Sequence, residues 1–239
     1  MKRLSKFFKS YQPYKRGTTS YKKASYSQCG EDLIINFIFE QLGIKQPSYL
    51  DIGAHHPQYL SNTYLFYERG CRGVNVEPDP YLYKEFIKAR SEDTNLNVGI
   101  GFKDEEENAD FYIMSSRVLN TFSSDEAHKV QGYGTCKIES TIQVPLIQVN
   151  RIIKENFSSK TLNFVSLDVE GLDYEIVKKF DFQLYKPEVF CIETLTYTED
   201  KTEKKIYNII DYLTKNGYFV YADTYINSIL VNTNIWRKR

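Results

Sequence analysis

The sequence lacks the features that would commit it to a zinc site, a disulfide framework or a membrane. Its four cysteines, Cys29, Cys71, Cys136 and Cys191, form no C-x-x-C pair and no dense framework. No apolar run approaches the roughly 20 residues that a membrane span requires, and the N-terminus has no apolar signal core. These absences predict a soluble, cytoplasmic protein with reduced thiols.

A surplus of charge of one sign is lacking too. The 239 residues carry 31 Lys and Arg against 31 Asp and Glu. A protein that neutralises many phosphates usually has an excess of cationic side chains. The balanced composition therefore predicts that nucleic acid is not a partner.

The sequence also lacks the glycine-rich loops that bind phosphate. Residues 53–57 read GAHHP, without the second and third glycines of the G-x-G-x-x-G pattern that supports pyrophosphate binding. The G-K-[S/T] sequence of a P-loop is missing as well. A ligand that contains adenosine but no phosphates fits this loop better than a dinucleotide does.

A strand–helix–strand unit is present from residue 49 to residue 80. Its predicted elements are a strand at about 48–52, a helix at about 60–69 and a strand at 73–77. The first strand ends in Asp51 and Gly53 and the second in Glu77, which is the layout of a nucleotide-binding half. The Glu77 carboxylate can accept two hydrogen bonds from a ribose diol. Spacing alone leaves a dinucleotide and S-adenosylmethionine open, and the missing glycines favour S-adenosylmethionine.

The rest of the chain alternates strands with helices, which predicts a doubly wound, mostly parallel sheet. A helix capped by Ser27 precedes the first strand and ends near Gly43. Residues 115–140 have few periodic apolar positions and predict a long loop that acts as a substrate-side lid. The further strands are predicted at 95–100, 141–148, 162–167, 188–192, 218–223 and 227–232, a β-ribbon at 101–114, and helices at about 80–90, 172–180 and 202–216.

These elements predict one domain from residue 26 to residue 239 behind a basic extension at 1–25. The extension has apolar side chains at helical spacing, so it would form a short amphipathic helix that touches an anionic membrane surface weakly. The alternative, favoured by its terminal position, is a solvated or loosely packed segment.

Acidic residues gather at the predicted strand ends, which meet at one rim of a doubly wound sheet. Candidates for a general base at this rim are Asp168, Glu170, His55 and His56. Together with Glu193, the two acids offer oxygen ligands for a divalent metal. A structural role is an equal alternative for each acid, by capping the helix after Gly171 or by pairing with Lys178 or Lys179. For His56, which precedes Pro57, shaping the loop is the alternative.

Five ordered motifs carry a resemblance to a known family. They are YSQCGED at 26–32, DIGAHHP at 51–57, SNT at 61–63, VEP at 76–78 and DVEG at 168–171. Together they resemble the FkbM family of S-adenosylmethionine-dependent methyltransferases, in particular its S-Q-x-G-E-D branch. The resemblance implies a Rossmann-like class I methyltransferase fold, a seven-stranded sheet with an antiparallel last strand. It also implies O-methylation, often of sugars in polysaccharides, glycolipids or natural products.

The resemblance also implies roles for individual residues. Asp51, Gly53 and Ala54 would line the methionine part of the cofactor, and Glu77 would bind its ribose. Gln28, Glu31 and Asp32 would close the site from the preceding helix. Asn97 to Gly101 would lie near the adenine.

Three competing interpretations remain at this point. One is an NAD-dependent oxidoreductase that acts on nucleotide sugars, which the missing glycines disfavour. Another is a non-catalytic S-adenosylmethionine-binding module in glycan assembly, which the acids at every expected strand end disfavour. The third is a nucleic-acid methyltransferase, disfavoured by the neutral charge and by the lack of an N-P-P-Y or D-P-P-Y tetrapeptide.

Overall fold

The computed structural model describes residues 23–103, 107–158 and 160–239. Its strands are β1 Tyr49–Ile52, β2 Val74–Val76, β3 Thr94–Leu96, β4 Gly99–Gly101, β5 Glu107–Met114, β6 Ile138–Gln148, β7 Phe164–Leu167, β8 Val189–Glu193, β9 Tyr218–Asp223 and β10 Asn227–Asn232. Its α-helices are α1 Glu31–Leu42, α2 Tyr64–Glu68, α3 Pro80–Ala89, α4 Ser124–Gly132, α5 Val149–Asn156, α6 Asp173–Lys179, α7 Tyr207–Lys215 and α8 Thr233–Lys238.

Seven strands form the main sheet in the order β3-β2-β1-β7-β8-β10-β9. β1 pairs in parallel with β2 and β7, and β8 pairs in parallel with β7. β10, the last strand of the chain, lies antiparallel between β8 and β9. The predicted fold is confirmed: an α/β, seven-stranded, mostly parallel sheet with an antiparallel last strand, as in class I methyltransferases.

Helices cover both faces of this sheet because its central strands are apolar on both sides. Every residue of β1 and β7 is buried, which is typical of parallel strands between two helix layers. On one face α5, α6 and α7 pack through Ile152, Ile176 and Ile209. On the other face α1 and α2 pack through Ile38 and Phe66. A ligand can therefore reach the sheet only beyond the ends of its strands.

A second sheet, in the order β4-β6-β5, corrects the prediction of one strand at 95–100. The chain turns between β3 and β4 because the Asn97 side chain donates to the carbonyl oxygens of Glu77 and Pro78, each at 2.9 Å. β4 then pairs in parallel with β6. The predicted ribbon at 101–114 is also corrected, since β5 pairs with the distant β6.

The predicted long loop at 115–140 contains a 3₁₀ turn, Arg117–Leu119, and helix α4. The Ser123 hydroxyl accepts the Glu126 N–H at 3.2 Å and caps α4. Only Ala127 and Val130 of this helix are buried. Two apolar positions are too few to give a readable period, which explains why the helix was missed.

Local hydrogen bonds shift two predicted helix starts. The helix predicted from about 60 begins only at Tyr64, because the Ser61 hydroxyl accepts the N–H groups of Thr63 and Tyr64 and holds a turn there. The N-cap of α1 is Gly30 rather than Ser27. The Ser27 hydroxyl still accepts the Asp32 N–H at 3.3 Å, so it supports the same helix end from outside.

Most of the basic extension, residues 1–22, lies outside the described residues. The membrane contact and the domain boundary at 25–26 therefore stay predictions. Among the described residues, no helix combines the length and apolarity that crossing a bilayer requires.

Only glycine fits at position 53, where the ends of β1 and β7 come close together. Its φ is +74°, and a Cβ placed there would lie 1.7 Å from the Asp168 carbonyl oxygen. Both backbone freedom and the missing side chain are therefore required at this position. Gly217, with φ +93°, needs the freedom only, since a Cβ there would meet nothing within 4 Å.

The Gly53→Ala variant is expected to lose about 3 kcal/mol or more of the free energy of unfolding, because left-handed strain and overpacking add. Gly217→Ala, the matched control, should lose only about 1 kcal/mol. Urea denaturation of the three proteins measures both values. Equal losses would contradict the steric role of Gly53.

Candidate active site

A cavity of about 480 Å³ opens at the carboxyl ends of β1, β2, β7 and β8. Its volume is in the range of ordinary small-molecule sites. The predicted site residues that line it are Gln28, Asp51, Gly53, Ala54, His55, Glu77, Asp168, Glu170 and Glu193. Six of these nine residues, Asp51, Gly53, Glu77, Asp168, Glu170 and Glu193, were predicted from strand ends, and they surround one space.

Asp51, at the end of β1, is held by a chain of hydrogen bonds. The Thr63 hydroxyl donates to Asp51 Oδ2 at 2.6 Å and accepts from Arg90 Nη1 at 2.9 Å. Burial raises the pKa of Asp51, and the Arg90 charge opposes that rise. The carboxyl group is fixed in position before any ligand arrives.

Arg90 was missed by sequence reasoning because nothing in its neighbourhood marks it as buried. Its side chain is fully buried and pairs with Asp93 at 2.9 Å. The same Asp93 carboxylate accepts the Tyr49 hydroxyl, at 2.9 and 2.8 Å, and the Gly73 N–H, at 2.8 Å. The pair therefore ties α3 to β1 and to the start of β2.

Glu77, at the end of β2, is buried with both carboxyl oxygens in use. Oε2 accepts the His55 N–H and Oε1 accepts the Asp79 N–H, each at 2.7 Å. Burial outweighs these two bonds and raises the pKa of Glu77 to about 8. Each oxygen keeps lone-pair capacity for a further donor, which suits the predicted contact with a ribose diol.

The two histidines of the GAHHP loop differ in position. His55 lines the cavity in a left-handed conformation, with φ +54°. Burial lowers the pKa of His55 to about 4, so its ring is neutral at pH 7. His56 is not on the cavity wall. Its Nδ1 accepts the N–H groups of Gln58, at 3.1 Å, and Tyr59, at 2.9 Å, so it shapes the loop as the alternative reading expected.

The part of the cavity wall beside the end of β2, called here the apolar pocket, contains apolar side chains. It is formed by Pro78, Leu82, Val98, Ile100 and Phe122. Gly99 allows the close approach of Phe122, since a Cβ on Gly99 would lie 2.3 Å from the phenyl ring. Gly101, predicted to bind the cofactor, is not on the wall, because β4 carries it away beside β6.

Three acids of the β7 and β8 ends converge. Asp168, Glu170 and Glu193 each offer a carboxyl oxygen, and these oxygens lie within 4.8 Å of one another. Burial raises the pKa of Asp168 to about 7, with a further rise from the nearby Asp173 charge. Burial and then repulsion by Asp168 raise the pKa values of Glu170 and Glu193 well above their usual range.

Other residues fill the structural roles that were the alternatives for these acids, which are capping the helix after Gly171 and pairing with Lys178. Asp173, the first residue of α6, accepts the Val169 N–H at 3.1 Å and supports the helix start. Lys178 pairs with Glu175 at 2.8 Å instead of with a rim acid. Within the described segments, no cationic side chain forms an ion pair with the three converging acids. Their carboxyl groups remain available to a ligand.

Of the three residues predicted to close the site from α1, only Gln28 lines the cavity. Glu31 instead accepts the Thr224 hydroxyl at 2.6 Å and the Asn227 side chain at 3.1 Å, which anchors the β9–β10 turn. Asp32 accepts the Ser25 and Ser27 hydroxyls and the Tyr26 N–H. Both acids are fully buried. They support the segments that form the cavity wall without lining the cavity themselves.

The outer wall of the cavity was missed from the sequence. Beyond β8, residues 194–206 fold back as a hairpin, and Tyr225 lies in the turn between β9 and β10. Opposite them, Arg117 is held by an ion pair with Asp79, the N-cap of α3. These segments are too short for their pattern of polar residues to indicate a strand or a helix. Nothing in the sequence could therefore place them at a site.

Solved structures of low sequence identity resemble the chain over much of its length. Methyltransferase FkbM from Methylobacillus flagellatus KT is 13% identical, with a TM-score of 0.43 over 78% of this chain and 43% of that chain. The chain thus spans less than half of that protein. The METTL16 methyltransferase domain is 11% identical, with a TM-score of 0.41 over 84% of this chain and 80% of that chain.

A third similar structure is 1,6-didemethyltoxoflavin-N1-methyltransferase from Burkholderia thailandensis, with bound 1,6-didemethyltoxoflavin and S-adenosylhomocysteine. It is 10% identical, with a TM-score of 0.37 over 88% of this chain and 91% of that chain. No curated protein sequence matches this chain at a significant level.

The profile of one protein family matches the chain directly. It is described as the methyltransferase FkbM domain and covers residues 51–220, well over half of the 239 residues. The matched region begins at Asp51, near the end of β1, and contains β2 and the acids at the ends of β7 and β8. The chain therefore belongs to the FkbM methyltransferase family, as the ordered motifs indicate.

Proposed function

We propose that this protein is an S-adenosylmethionine-dependent O-methyltransferase whose acceptor is a hydroxyl of a sugar, a glycan or a related small molecule. The observation that carries the proposal is the composition of the cavity wall. Six carboxyl groups line it, against the cationic side chains of Arg117 and Lys201. Such a wall suits a cofactor with a sulfonium cation, because a nearby positive charge would favour the ionised form of these acids.

The cavity fits S-adenosylmethionine better than a dinucleotide. Pyrophosphate is usually held at a helix N-terminus directly after the first strand. Here α2 begins only at Tyr64, well after Gly53, and the cavity wall near Gly53 carries the acids Asp51 and Glu77. The methionine part would lie along Asp51, Gly53 and Ala54, near the Gln28 side chain. The ribose would meet Glu77, and the adenine the apolar pocket beside Phe122.

The chemistry required of the protein is positioning and proton removal. Bound S-adenosylmethionine supplies an activated methyl group. The acids at the ends of β7 and β8 would orient the acceptor hydroxyl, and alignment of the reacting atoms provides much of the acceleration. We assign Asp168 as the base, because a pKa near 7 lets it accept a proton at neutral pH. Glu170 and His55 are the remaining base candidates on the wall, whereas the place of His56 outside it argues against catalysis.

A divalent metal is the second way in which these acids could activate the hydroxyl. Asp168, Glu170 and Glu193 offer the hard oxygen ligands that Mg²⁺ and Ca²⁺ prefer. A bound cation would lower the pKa of the acceptor hydroxyl and offset the repulsion among the three carboxylates. Activity retained in excess EDTA would remove this variant.

The function itself is tested by a methyl-transfer screen. The protein is incubated with methyl-labelled S-adenosylmethionine and a panel of glycans and simple sugars, and product masses are measured. The proposal expects a product heavier by one labelled methyl group. A methylated amine with no methylated hydroxyl would contradict O-methylation.

The Glu77→Ala variant is expected to weaken S-adenosylhomocysteine binding by about 10- to 100-fold. The two hydrogen bonds that the Glu77 carboxyl group would make with the ribose diol are lost, each worth about 0.5–1.5 kcal/mol. Calorimetric titration gives the dissociation constant, and a thermal unfolding curve checks that the variant folds. An unchanged constant in a folded variant would refute the ribose role.

The Asp168→Asn variant should keep cofactor binding within about threefold and lower turnover by about 10²–10⁴-fold, the usual contribution of a general base. In the wild type, turnover should rise with pH through about 7 as Asp168 loses its proton. Initial rates from pH 5.5 to 8.5 measure both effects. Turnover within a few-fold of wild type would exclude Asp168 as the base, and Glu175→Gln, on the neighbouring helix surface, serves as control.

Stability should fall as pH rises, because the buried rim acids hold protons that the unfolded chain releases. Glu77 has a pKa of about 8 in the folded protein, against about 4.3 when unfolded. Between these values the folded state binds more protons, so the free energy of unfolding decreases with pH. Urea denaturation at pH 5.5, 7 and 8.5 should show a loss of a few kcal/mol, with a smaller slope in Glu77→Ala. A flat or rising profile would contradict burial of ionisable acids at the rim.

A further inference from the structure

The outer wall of the cavity is a hairpin at residues 194–206. The Ile206 N–H donates to the Thr194 carbonyl at 2.8 Å, and the Thr196 N–H donates to the Lys204 carbonyl at 3.0 Å. On one side the hairpin contacts α4, where Lys129 Nζ donates to the Tyr197 carbonyl at 3.0 Å. On the other side it contacts the β9–β10 turn. It therefore bridges two separate parts of the fold across the mouth of the cavity.

Tyr225, in that turn, is exposed and yet fixed. Its side chain is 60% exposed, and its backbone has a left-handed φ of +77°. The Tyr225 N–H donates to Asp223 Oδ1 at 2.8 Å, and its hydroxyl donates to Glu203 Oε1 at 2.7 Å. Lys205 Nζ donates to the Tyr225 carbonyl at 2.8 Å. Both ends of the residue are thus tied to the hairpin.

This arrangement prepares an aromatic face for a ligand. A bulky residue at positive φ is strained, and such strain gathers at functional sites. A ring that is already held loses little conformational entropy when a ligand packs on it. Tyr225 and Glu203 both line the cavity, so the ring and a carboxylate acceptor face the same space.

The charges of this part of the cavity restrict what can bind. Asp168, Glu170, Glu193 and Glu203 all line it. The cationic side chains among its described lining residues are Lys201 and Arg117, and Arg117 is paired with Asp79. The hydrogen bond from the Tyr225 hydroxyl lowers the pKa of Glu203, so this carboxylate is ionised at neutral pH and repels a phosphate placed near it. Hydroxyl groups, in contrast, are donors that carboxylates accept well. The wall therefore favours a polyhydroxylated ligand without phosphate.

We propose that Tyr225 and Glu203 form an acceptor subsite for a pyranose ring that carries no phosphate. The apolar face of the ring packs on the Tyr225 side chain, and its hydroxyl groups donate to Glu203 and to the acids at the ends of β7 and β8. This inference rests on the proposed methyltransferase function and narrows it. Nucleotide sugars and sugar phosphates are excluded as acceptors, and glycans and simple glycosides are retained.

The test is saturation-transfer NMR on the wild-type protein in the presence of S-adenosylhomocysteine. The probes are the methyl pyranosides of glucose, galactose, mannose and fucose, measured against the 1-phosphates of the same four sugars. At least one methyl pyranoside should receive saturation from the protein, and its 1-phosphate should bind at least about tenfold more weakly. Tyr225→Ala should weaken that pyranoside about tenfold, the usual size of one aromatic contact.

Two further variants keep the result interpretable. Tyr225→Phe retains the ring and should bind within about threefold of wild type, provided that its thermal unfolding curve matches. Tyr207→Ala removes a side chain that is 67% exposed on α7 and absent from the cavity wall, so it should bind like wild type.

The outcomes separate this inference from the function on which it rests. If calorimetry shows no S-adenosylhomocysteine binding, the proposed function fails. If the cofactor product binds but no pyranoside receives saturation, or the signal is the same in Tyr225→Ala, the subsite is refuted. Sugar 1-phosphates that bind as tightly as the pyranosides would refute the charge argument.

Discussion

The buried guanidinium of Arg90 joins the segments from which the cofactor side of the cavity is built. Through Asp93 it fixes β1 and the start of β2, and through the Thr63 hydroxyl it orients Asp51. A fully buried cation is costly unless it is paired, so removing either partner leaves an uncompensated charge, at a cost of about 3–5 kcal/mol. The end of β1 therefore has one available geometry, and the positions of Gly53 and Glu77 follow from it.

Acidic side chains lie close together around this end of β1. Asp51, Glu77 and the acids of β7 and β8 meet because all their strands run in the same direction and end at the same rim. Burial raises the pKa values of Glu77 and Asp168 to about 8 and 7. The ionised forms of these acids therefore lower the stability of the folded protein. Residues kept at such a cost are typical of functional sites. A cationic cofactor and a hydroxylated acceptor would both relieve the repulsion.

Sequence reasoning found the site residues that depend on strand direction and missed those that depend on distant partners. Asp51, Glu77 and Asp168 lie on the wall because periodicity and the rule for parallel sheets locate strand ends. Glu31 turns away because Thr224, far along the chain, offers it a hydrogen bond that no local pattern reveals. Tyr225 was missed for the same reason, since the hairpin that fixes it is defined by tertiary contacts. The ordered motifs identified the family because together they include the ends of several strands.

The proposed function requires that the cavity binds S-adenosylmethionine and not a dinucleotide. Calorimetric titration of the wild-type protein with S-adenosylhomocysteine and, separately, with NADH tests it most directly. We expect saturable one-to-one binding of S-adenosylhomocysteine and no binding heat from NADH, because the acidic wall has no cradle for pyrophosphate. Binding of NADH, with no heat from S-adenosylhomocysteine, would contradict it.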